Sequence, residues 1–263
     1  IGPALAAGDT VVLKPAEWTP LSASFFADLT KQAGIPDGVF NVIQGYGRVA
    51  GAALTAHKDI ARIAFTGSVP TAKIIAKAAA ENLTPTSFEL GGKSPLVIFG
   101  DSDLDLAATI AVEQYDNAGQ VCLSGTRLLV HESIADAFAE KFREKAALVK
   151  QGDPRDETTD IGPQIHKVHF DRVKGFVDRA REEGANIVMG GTPNDELGGL
   201  YFNPTLVVNP APGSEIVTAE IFGPVLCMQT FATDEEAVHM ANDTEFGLAA
   251  TVVTGSRERA ERV

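Results

Sequence analysis

The first 90 residues alternate short apolar segments with segments that carry helix start and stop signals, and this alternation limits the possible folds more than any other feature. The run Val11-Val-Leu13 is short and continuous, as expected for a strand buried on both faces. Thr19-Pro20 is typical of an N-cap followed by the first helical residue, and Gly34 is typical of a helix end. Further strands are predicted at 39–43, 61–65 and 87–90, with helices over 49–56 and from residue 70. Because parallel strands need such crossover helices, the alternation predicts a parallel α/β sheet.

The pattern changes at Leu90-Gly91, where longer helices and more widely spaced strands begin. The helix predicted over 133–150 carries Phe138, Phe142 and Ala146 at helical spacing, which gives it one apolar and one charged face. A chain of 263 residues is long enough for two domains. We therefore expect one domain over 1–90 and a second α/β domain over 91–263.

Charge and hydropathy exclude two classes of partner. The chain has 22 Lys and Arg against 35 Asp and Glu, and its net charge of -13 opposes the phosphate backbone that nucleic-acid-binding proteins contact through Lys and Arg. No apolar run approaches the roughly 18 to 20 residues that cross a bilayer. We expect neither nucleic acid nor a membrane as a partner.

The two cysteines lie in different sequence contexts. Cys227 is inside an apolar strand-like segment, where a free cysteine behaves as a small buried hydrophobe. Cys122 follows Gly119-Gln120 and precedes Ser124-Gly125, in a turn whose backbone N–H groups could stabilise a thiolate. Because two cysteines do not make a disulfide framework in a chain of this size, we predict a reducing, cytoplasmic setting.

A carboxylate and a thiol are candidates for one catalytic site. Glu89 ends the fourth predicted strand, and Gly91-Gly92 follows it and allows close approach of the backbone. One amphipathic helix separates Glu89 from Cys122 and would fold the two ends back toward each other. A thiol that captures a carbonyl and a base that activates water are the minimum for covalent catalysis. The alternatives are a solvent-facing carboxylate and a surface thiol.

Two groups of residues are candidates for binding a nucleotide. Lys14 and Glu17 follow the first strand, where they could bind the hydroxyls of a ribose, although a surface ion pair is the alternative. Gly67 and Ser68 precede a helix whose N-terminus favours a pyrophosphate. The glycines of segment 45–51 have one residue too many for a dinucleotide fingerprint, so we favour Gly67 and Ser68.

A metal site is not expected. His166 and His169 are three residues apart and could ligate a metal, but no third ligand clusters with them.

Five motifs together resemble those of the aldehyde dehydrogenase superfamily, in the order and roughly the spacing of that family. They cover nearly the whole chain and are Val12-Leu-Lys14-Pro-Ala-Glu17, Phe65-Thr-Gly-Ser68, Glu89-Leu-Gly-Gly-Lys93, Gly119-Gln-Val-Cys122 and Glu220-Ile-Phe-Gly-Pro-Val225. The resemblance implies an aldehyde dehydrogenase-like α/β fold, in which residues 1–90 form part of a Rossmann-like, parallel NAD-binding sheet and residues 91–263 form an α/β catalytic domain.

The resemblance also implies the chemistry. Cys122 would attack the aldehyde carbon, the thiohemiacetal would pass a hydride to NAD, and water activated by Glu89 would hydrolyse the resulting thioester. NADP is the less favoured cofactor, because its 2′-phosphate would face the Glu17 carboxylate. A homodimer or homotetramer is the expected assembly. The implied cofactor contacts are Lys14 and Glu17 at the adenosine ribose, Gly67 and Ser68 at the pyrophosphate, and Glu220 and Phe222 at the nicotinamide ribose and ring.

Three departures from the family pattern affect these expectations. Pro70 is unusual at its position, and Ala72 replaces a residue that is often Gly in the family. His169 occupies a position where many members carry a Gln that contacts a cofactor ribose. The oxyanion-hole Asn of the family lies in a segment upstream of Ile1, so we expect the sequence to be a fragment that lacks both ends and is a poor catalyst alone.

The substrate and the reaction outcome have alternatives. The segment Gln114-Tyr-Asp-Asn117 looks like that of bacterial members that oxidise hydroxymuconic semialdehydes, which predicts an aldehyde or semialdehyde substrate. A CoA-acylating semialdehyde dehydrogenase is one alternative, although such relatives often lack the base at Glu89. A non-catalytic structural or interaction protein on the same scaffold is the other, and the presence of both Cys122 and Glu89 argues against it.

Overall fold

The computed structural model describes all residues from Ile1 to Val263, and the chain divides into two compact units, Ile1–Leu90 and Gly91–Val263. The division falls where the sequence changes from regular strand and helix alternation to longer helices. The cofactor-binding and catalytic roles expected for the two parts stay predictions.

The first unit alternates strands with helices in the order that the sequence predicts, after a short N-terminal helix that was not predicted. Its elements are α1 (Gly2–Ala6), β1 (Val11–Leu13), α2 (Leu21–Gln32), β2 (Phe40–Val42), a π-helical turn (Gly47–Gly51) that continues into α3 (Ala52–Thr55), β3 (Ile63–Thr66), α4 (Val69–Glu81) and β4 (Thr86–Glu89).

The strands of this unit form two parallel pairs, β1 with β2 and β3 with β4, and no ladder joins the two pairs. In the second pair Thr66 lies opposite Glu89, and the Gly67 N–H donates to the Glu89 carbonyl at 3.0 Å. Both strands therefore end at the same carboxyl-terminal edge, where parallel α/β sheets bind their ligands. This edge carries Glu89 together with Gly67 and Ser68.

Two local expectations for the first unit were wrong. Thr19 does not cap α2, which begins at Leu21 with Pro20 as its flanking residue and no side-chain cap. The Thr19 N–H instead closes a turn by donating to the Ala16 carbonyl at 3.2 Å. Val12 is 41% exposed, so β1 is not buried on both faces.

The second unit contains one six-stranded sheet and the longer helices. Its elements are β5 (Pro95–Ile98), α5 (Leu104–Val112), a 3-10 segment (Glu113–Gly119), β6 (Arg127–His131), a 3-10 turn (Glu132–Ile134), α6 (Ala135–Ala146), α7 (Lys167–Glu182), β7 (Asn186–Met189), β8 (Thr205–Val208), α8 (Glu215–Thr218), β9 (Val225–Phe231), α9 (Asp234–Asn242), β10 (Thr251–Val253) and α10 (Arg257–Arg262). None of the helices in the chain combines the length and the apolar character needed to cross a membrane.

The sheet has the order β10-β5-β6-β9-β8-β7 and is parallel except for β7, which runs antiparallel to β8. Its central strands are apolar because helices cover both faces. Phe138 and Phe142 of α6 pack on one face and are fully buried, while Val173 and Val177 of α7 pack on the other around Cys227. Burial of one such Phe or Val side chain contributes about 1.5 to 3 kcal/mol. This packing fixes the ends of the segment between α5 and β6, which contains Cys122.

Helix α9 was not predicted, although the sequence contains its start signal. The Thr233 Oγ1 accepts from the Glu236 N–H at 3.2 Å, and the Glu236 carboxylate accepts from the Ala232 N–H at 2.7 Å. A Thr followed three residues later by a Glu is the pattern of a capping box.

Candidate active site

Gly91 and Gly92, the glycine pair after β4, lie against the motifs that contain Cys122 and Glu220. Three of the five motifs therefore meet within residues 91–263. The Gly92 N–H donates to Glu220 Oε1 at 3.3 Å. A Cβ on Gly91 would lie 2.0 Å from Glu220 Oε2, and a Cβ on Gly92 would lie 2.8 Å from the carbonyl oxygen of Cys122. These distances leave no room for a side chain, so the close approach requires glycine at both positions. The candidate nucleophile and the candidate ribose-binding carboxylate thus flank the same two residues.

Cys122 is exposed in the turn between the 3-10 segment and β6. The three consecutive residues Asn117, Ala118 and Gly119, shortly before it, have positive φ angles of 48°, 56° and 71°. This conformation costs a residue other than glycine about 1 kcal/mol or more. At Gly119 a Cβ would also lie 2.1 Å from the carbonyl oxygen of Gly223. The segment therefore keeps its shape only because its neighbours hold it.

Two glutamine side chains, which we call the glutamine clasp, connect this segment to residues 163–165. The Gln120 Nε2 donates to the Pro163 carbonyl at 3.4 Å, and its Oε1 accepts from the Ile165 N–H at 2.9 Å. In return, the buried Gln164 donates from Nε2 to the Ala118 carbonyl at 3.0 Å. The clasp holds the strained segment from both sides.

Glu220 and Phe222 lie in the turn between α8 and β9, and both are half-buried. Burial raises the pKa of the Glu220 carboxyl, while the Gly92 N–H and the charges of Arg172 and Lys93 act in the opposite direction. Phe222 has a φ of 60° although it is not a glycine. The turn thus presents a carboxylate and an aromatic ring from a backbone that is itself strained.

In the first unit, Glu17 contacts Lys14, its expected ion-pair partner, and also Gly47, which was not predicted as a neighbour. Its Oε1 accepts from the Gly47 N–H at 2.5 Å and lies 3.5 Å from Lys14 Nζ. Hydrogen bonds from the N–H groups of Glu17 itself and of Gly47 hold the pKa of this carboxyl below its usual value. The ion pair named as the alternative therefore exists, and it also fixes a carboxylate beside the glycine turn after β2.

Gly67 and Ser68 form the exposed turn between β3 and α4. The Ser68 Oγ lies 3.0 Å from the Thr71 Oγ1, and Ser68 precedes the first residue of the helix. Pro70 lies in the first turn of α4, where its missing N–H has no intrahelical acceptor in any case. Ala72 is only 4% exposed, so this departure from the family pattern lies on the packed side of the helix.

Glu89 is exposed at the end of β4. It belongs to the first unit, whereas Cys122 belongs to the second.

Cys227 is fully buried, as expected, and burial raises the pKa of its thiol. Its Sγ donates to the Ile216 carbonyl at 3.3 Å, and the same carbonyl accepts from Lys93 Nζ at 3.0 Å. Burial lowers the pKa of the Lys93 ammonium to about 8, and the nearby Arg127 acts in the same direction. Cys122, in contrast, is open to solvent.

No group of three or more His, Cys, Asp or Glu side chains that could hold a metal occurs in the chain. The His166 Nδ1 accepts from the His169 N–H at the start of α7 at 3.1 Å, and the His169 Nε2 lies 2.6 Å from the Phe222 carbonyl oxygen.

Sequence reasoning missed the residues that hold the site together. Gln120, Gln164 and Arg172 contact the Cys122 segment or the turn of Glu220 and Phe222. The partners of Gln164 and Arg172 lie 46 and 49 positions away in the sequence, so no local pattern indicates them.

Comparison with known proteins identifies the family of the chain. The model of the aldehyde dehydrogenase family matches residues 1–263. A solved NAD-dependent aldehyde dehydrogenase from Sinorhizobium meliloti is 44% identical with a TM-score of 0.94, over 96% of this chain and 50% of that chain. HpcC from Thermus thermophilus is also 44% identical, with a TM-score of 0.93, over 99% of this chain and 52% of that chain.

Betaine aldehyde dehydrogenase from Staphylococcus aureus, solved in complex with NAD+, is 39% identical with a TM-score of 0.95, over 99% of this chain and 52% of that chain. The chain thus spans about half the length of these solved relatives. The predicted α/β fold is confirmed, and the chain belongs to the aldehyde dehydrogenase family.

Proposed function

We propose that this chain carries the nucleophile, the general base and most of the cofactor contacts of an enzyme that oxidises an aldehyde to a carboxylic acid with NAD. The observation that carries the proposal is the convergence at Gly91 and Gly92, which lie against the Glu220 carboxylate and the Cys122 backbone. Membership of the aldehyde dehydrogenase family supports it.

The covalent steps belong to Cys122 and Glu89. The Cys122 sulfur attacks the aldehyde carbon and forms a C–S bond, which gives a thiohemiacetal. Loss of a hydride from that carbon and of the proton from its hydroxyl leaves a thioester on Cys122. Glu89 then takes a proton from water, the resulting hydroxide attacks the thioester carbon, and the C–S bond breaks to release the carboxylic acid.

NAD would supply the hydride acceptor, and the chain offers contacts for its two halves. Lys14 and Glu17 would hold the adenosine ribose, with Gly67 and Ser68 at the pyrophosphate. Glu220 would accept from the nicotinamide ribose. Phe222 would pack against the nicotinamide ring. The groups present fit this cofactor, because Glu17 and Glu220 are carboxylate acceptors and Ser68 lies at the N-terminus of a 13-residue helix, α4.

Exchange of each cysteine in turn tests the proposal. In the whole protein that carries this chain, Cys122→Ala should abolish aldehyde-dependent NADH formation. Cys227→Ala is the matched control and should leave the rate within a few-fold, because this thiol is buried in the core. Equal losses in the two variants would contradict the assignment of the nucleophile.

The substrate class is a proposal from sequence resemblance. Two residues of the segment that suggested a hydroxymuconic semialdehyde bind the backbone of the second unit. The Gln114 Oε1 accepts from the Gly125 N–H at 2.7 Å, and the buried Tyr115 donates to the Thr205 carbonyl at 2.8 Å. We keep a semialdehyde as the proposed substrate, with a cytoplasmic location and a homodimer or homotetramer as further proposals.

A further inference from the structure

We infer that His169 and Arg172, on one face of α7, are positioning residues for the nicotinamide half of the cofactor, because they hold the backbone that presents Glu220 and Phe222. The inference rests on the cofactor contacts proposed above and extends them to two residues that act through the turn.

Three consecutive carbonyl groups of the turn are bound from this one helix. The His169 Nε2 donates to the Phe222 carbonyl at 2.6 Å. The Arg172 Nη1 donates to the Ile221 carbonyl at 3.0 Å, and its Nη2 donates to the Glu220 carbonyl at 2.5 Å. Because hydrogen bonds from a charged donor are stronger than neutral ones, the guanidinium is the main anchor.

The turn needs such anchors because Phe222 has a φ of 60°. A residue other than glycine keeps this conformation only where the surrounding structure over-determines it. The His169 ring also packs edge-on against the Phe222 ring, with centroids 5.9 Å apart. Burial lowers the pKa of His169, which favours the neutral ring. Because a carbonyl oxygen can only accept, the proton of the neutral ring lies on Nε2, the nitrogen that faces Phe222.

Arg172 also acts on the charge of the turn. Burial raises the pKa of the Glu220 carboxyl, and the Arg172 charge opposes this effect. Arg172 therefore fixes the position of Glu220 and favours the ionised form, which accepts hydrogen bonds from ribose hydroxyls.

Arg179 provides a matched control on the same helix. The guanidinium carbons of Arg172 and Arg179 each lie 5.0 Å from the centre of the Phe176 ring. Arg179, however, donates from Nε to the Glu215 carboxylate at 2.7 Å in an exposed ion pair. Loss of Arg179 removes a similar packing contact and leaves the bonds to the turn in place.

Calorimetric titration with NAD and with ADP separates positioning from general stability, since ADP lacks the nicotinamide half. Arg172→Met and His169→Leu should each raise the Kd for NAD about tenfold, or about 1.4 kcal/mol, and leave the Kd for ADP within twofold. His169→Gln keeps a donor for the Phe222 carbonyl and should bind NAD like the wild type. Arg179→Met should bind both ligands like the wild type.

Two results would overturn the inference and leave the proposed cofactor contacts standing. Equal weakening of NAD and ADP would mean that the two side chains support the fold in general, and an unchanged Kd for NAD in Arg172→Met and His169→Leu would remove their positioning role. A wild-type protein that binds neither ligand would instead contradict the proposed cofactor contacts, and the inference with them.

Discussion

Gly91 and Glu220 approach so closely that a single added carbon on Gly91 would lie 2.0 Å from the Glu220 Oε2. The neighbouring Gly92 N–H donates to the other oxygen of the same carboxylate at 3.3 Å. The position of the proposed ribose-binding group therefore depends on a glycine of the motif that contains the proposed base. A substitution at Gly91 should therefore weaken cofactor binding by displacing Glu220, although Gly91 is not itself a proposed cofactor contact.

Gly91→Ala is expected to displace the Glu220 carboxylate and to raise the KM for NAD about tenfold, the effect of losing one charge-assisted hydrogen bond. Steady-state kinetics with varied NAD measure the change. Gly247→Ala is the control, because no atom lies within 4 Å of its added carbon. A wild-type KM in Gly91→Ala would show that this carboxylate does not need its present position.

Glu89→Gln should separate the two halves of the reaction. The amide cannot take a proton from water, so Cys122 should be acylated once and hydrolysis should stall. Rapid mixing should show a burst of about one NADH per site without steady turnover, and hydroxylamine should restore turnover by cleaving the thioester.

The exposed Glu81 at the end of α4 gives the control variant Glu81→Gln, which should turn over like the wild type. Loss of the burst in Glu89→Gln would move Glu89 to an earlier step. A wild-type enzyme that turns over only with coenzyme A would favour acyl transfer to a thiol.

The strands and the candidate residues at their ends were predictable because each depends on a local pattern. The apolar run of β1 ends at Lys14, and the Thr66-Gly67-Ser68 turn joins β3 to a helix, as the sequence indicates. The contrast between Cys122 and Cys227 was likewise local, since a Gly/Ser-flanked turn and an apolar strand differ in their neighbours. These predictions need only the residues within a few positions.

The contacts that hold the site together were not predictable, because they join residues that are far apart in the sequence. Whether Gln164 faces the Ala118 carbonyl depends on the packing of segments 46 positions apart in the sequence. The Glu17 bond to the Gly47 N–H spans 30 positions, and no local pattern indicates it or the π-helical turn that begins at Gly47. The sequence also gives no sign of the positive φ angles at Ala118 and Phe222, because neither residue type favours that conformation.

Glu17→Gln is expected to narrow the preference for NAD over NADP. The Glu17 carboxylate is fixed by the Gly47 N–H and lies beside Lys14, and its pKa is held low, so it is ionised at neutral pH. A 2′-phosphate next to this charge is repelled, an effect that reaches several kcal/mol in such contacts. The ratio of kcat/KM for the two cofactors measures the preference. A wild-type enzyme that prefers NADP would contradict the assignment and indicate that Lys14 binds the phosphate.

The last prediction concerns stability and the buried Lys93. Its pKa is about 8 in the folded protein, below the usual value of about 10.4 for an unfolded chain. Between these values the unfolded chain binds a proton that the folded protein does not, so the unfolding free energy rises with pH. Urea unfolding at three pH values from about 7.5 to 9.5 should therefore show the wild type gaining stability relative to Lys93→Met.

The exposed Lys77 provides the control variant Lys77→Met, which should follow the wild type across the same range. A difference between wild type and Lys93→Met that does not change with pH would mean that Lys93 keeps its ordinary pKa. In that case the hydrogen bond to the Ile216 carbonyl, and not the loss of the proton, makes the buried position tolerable.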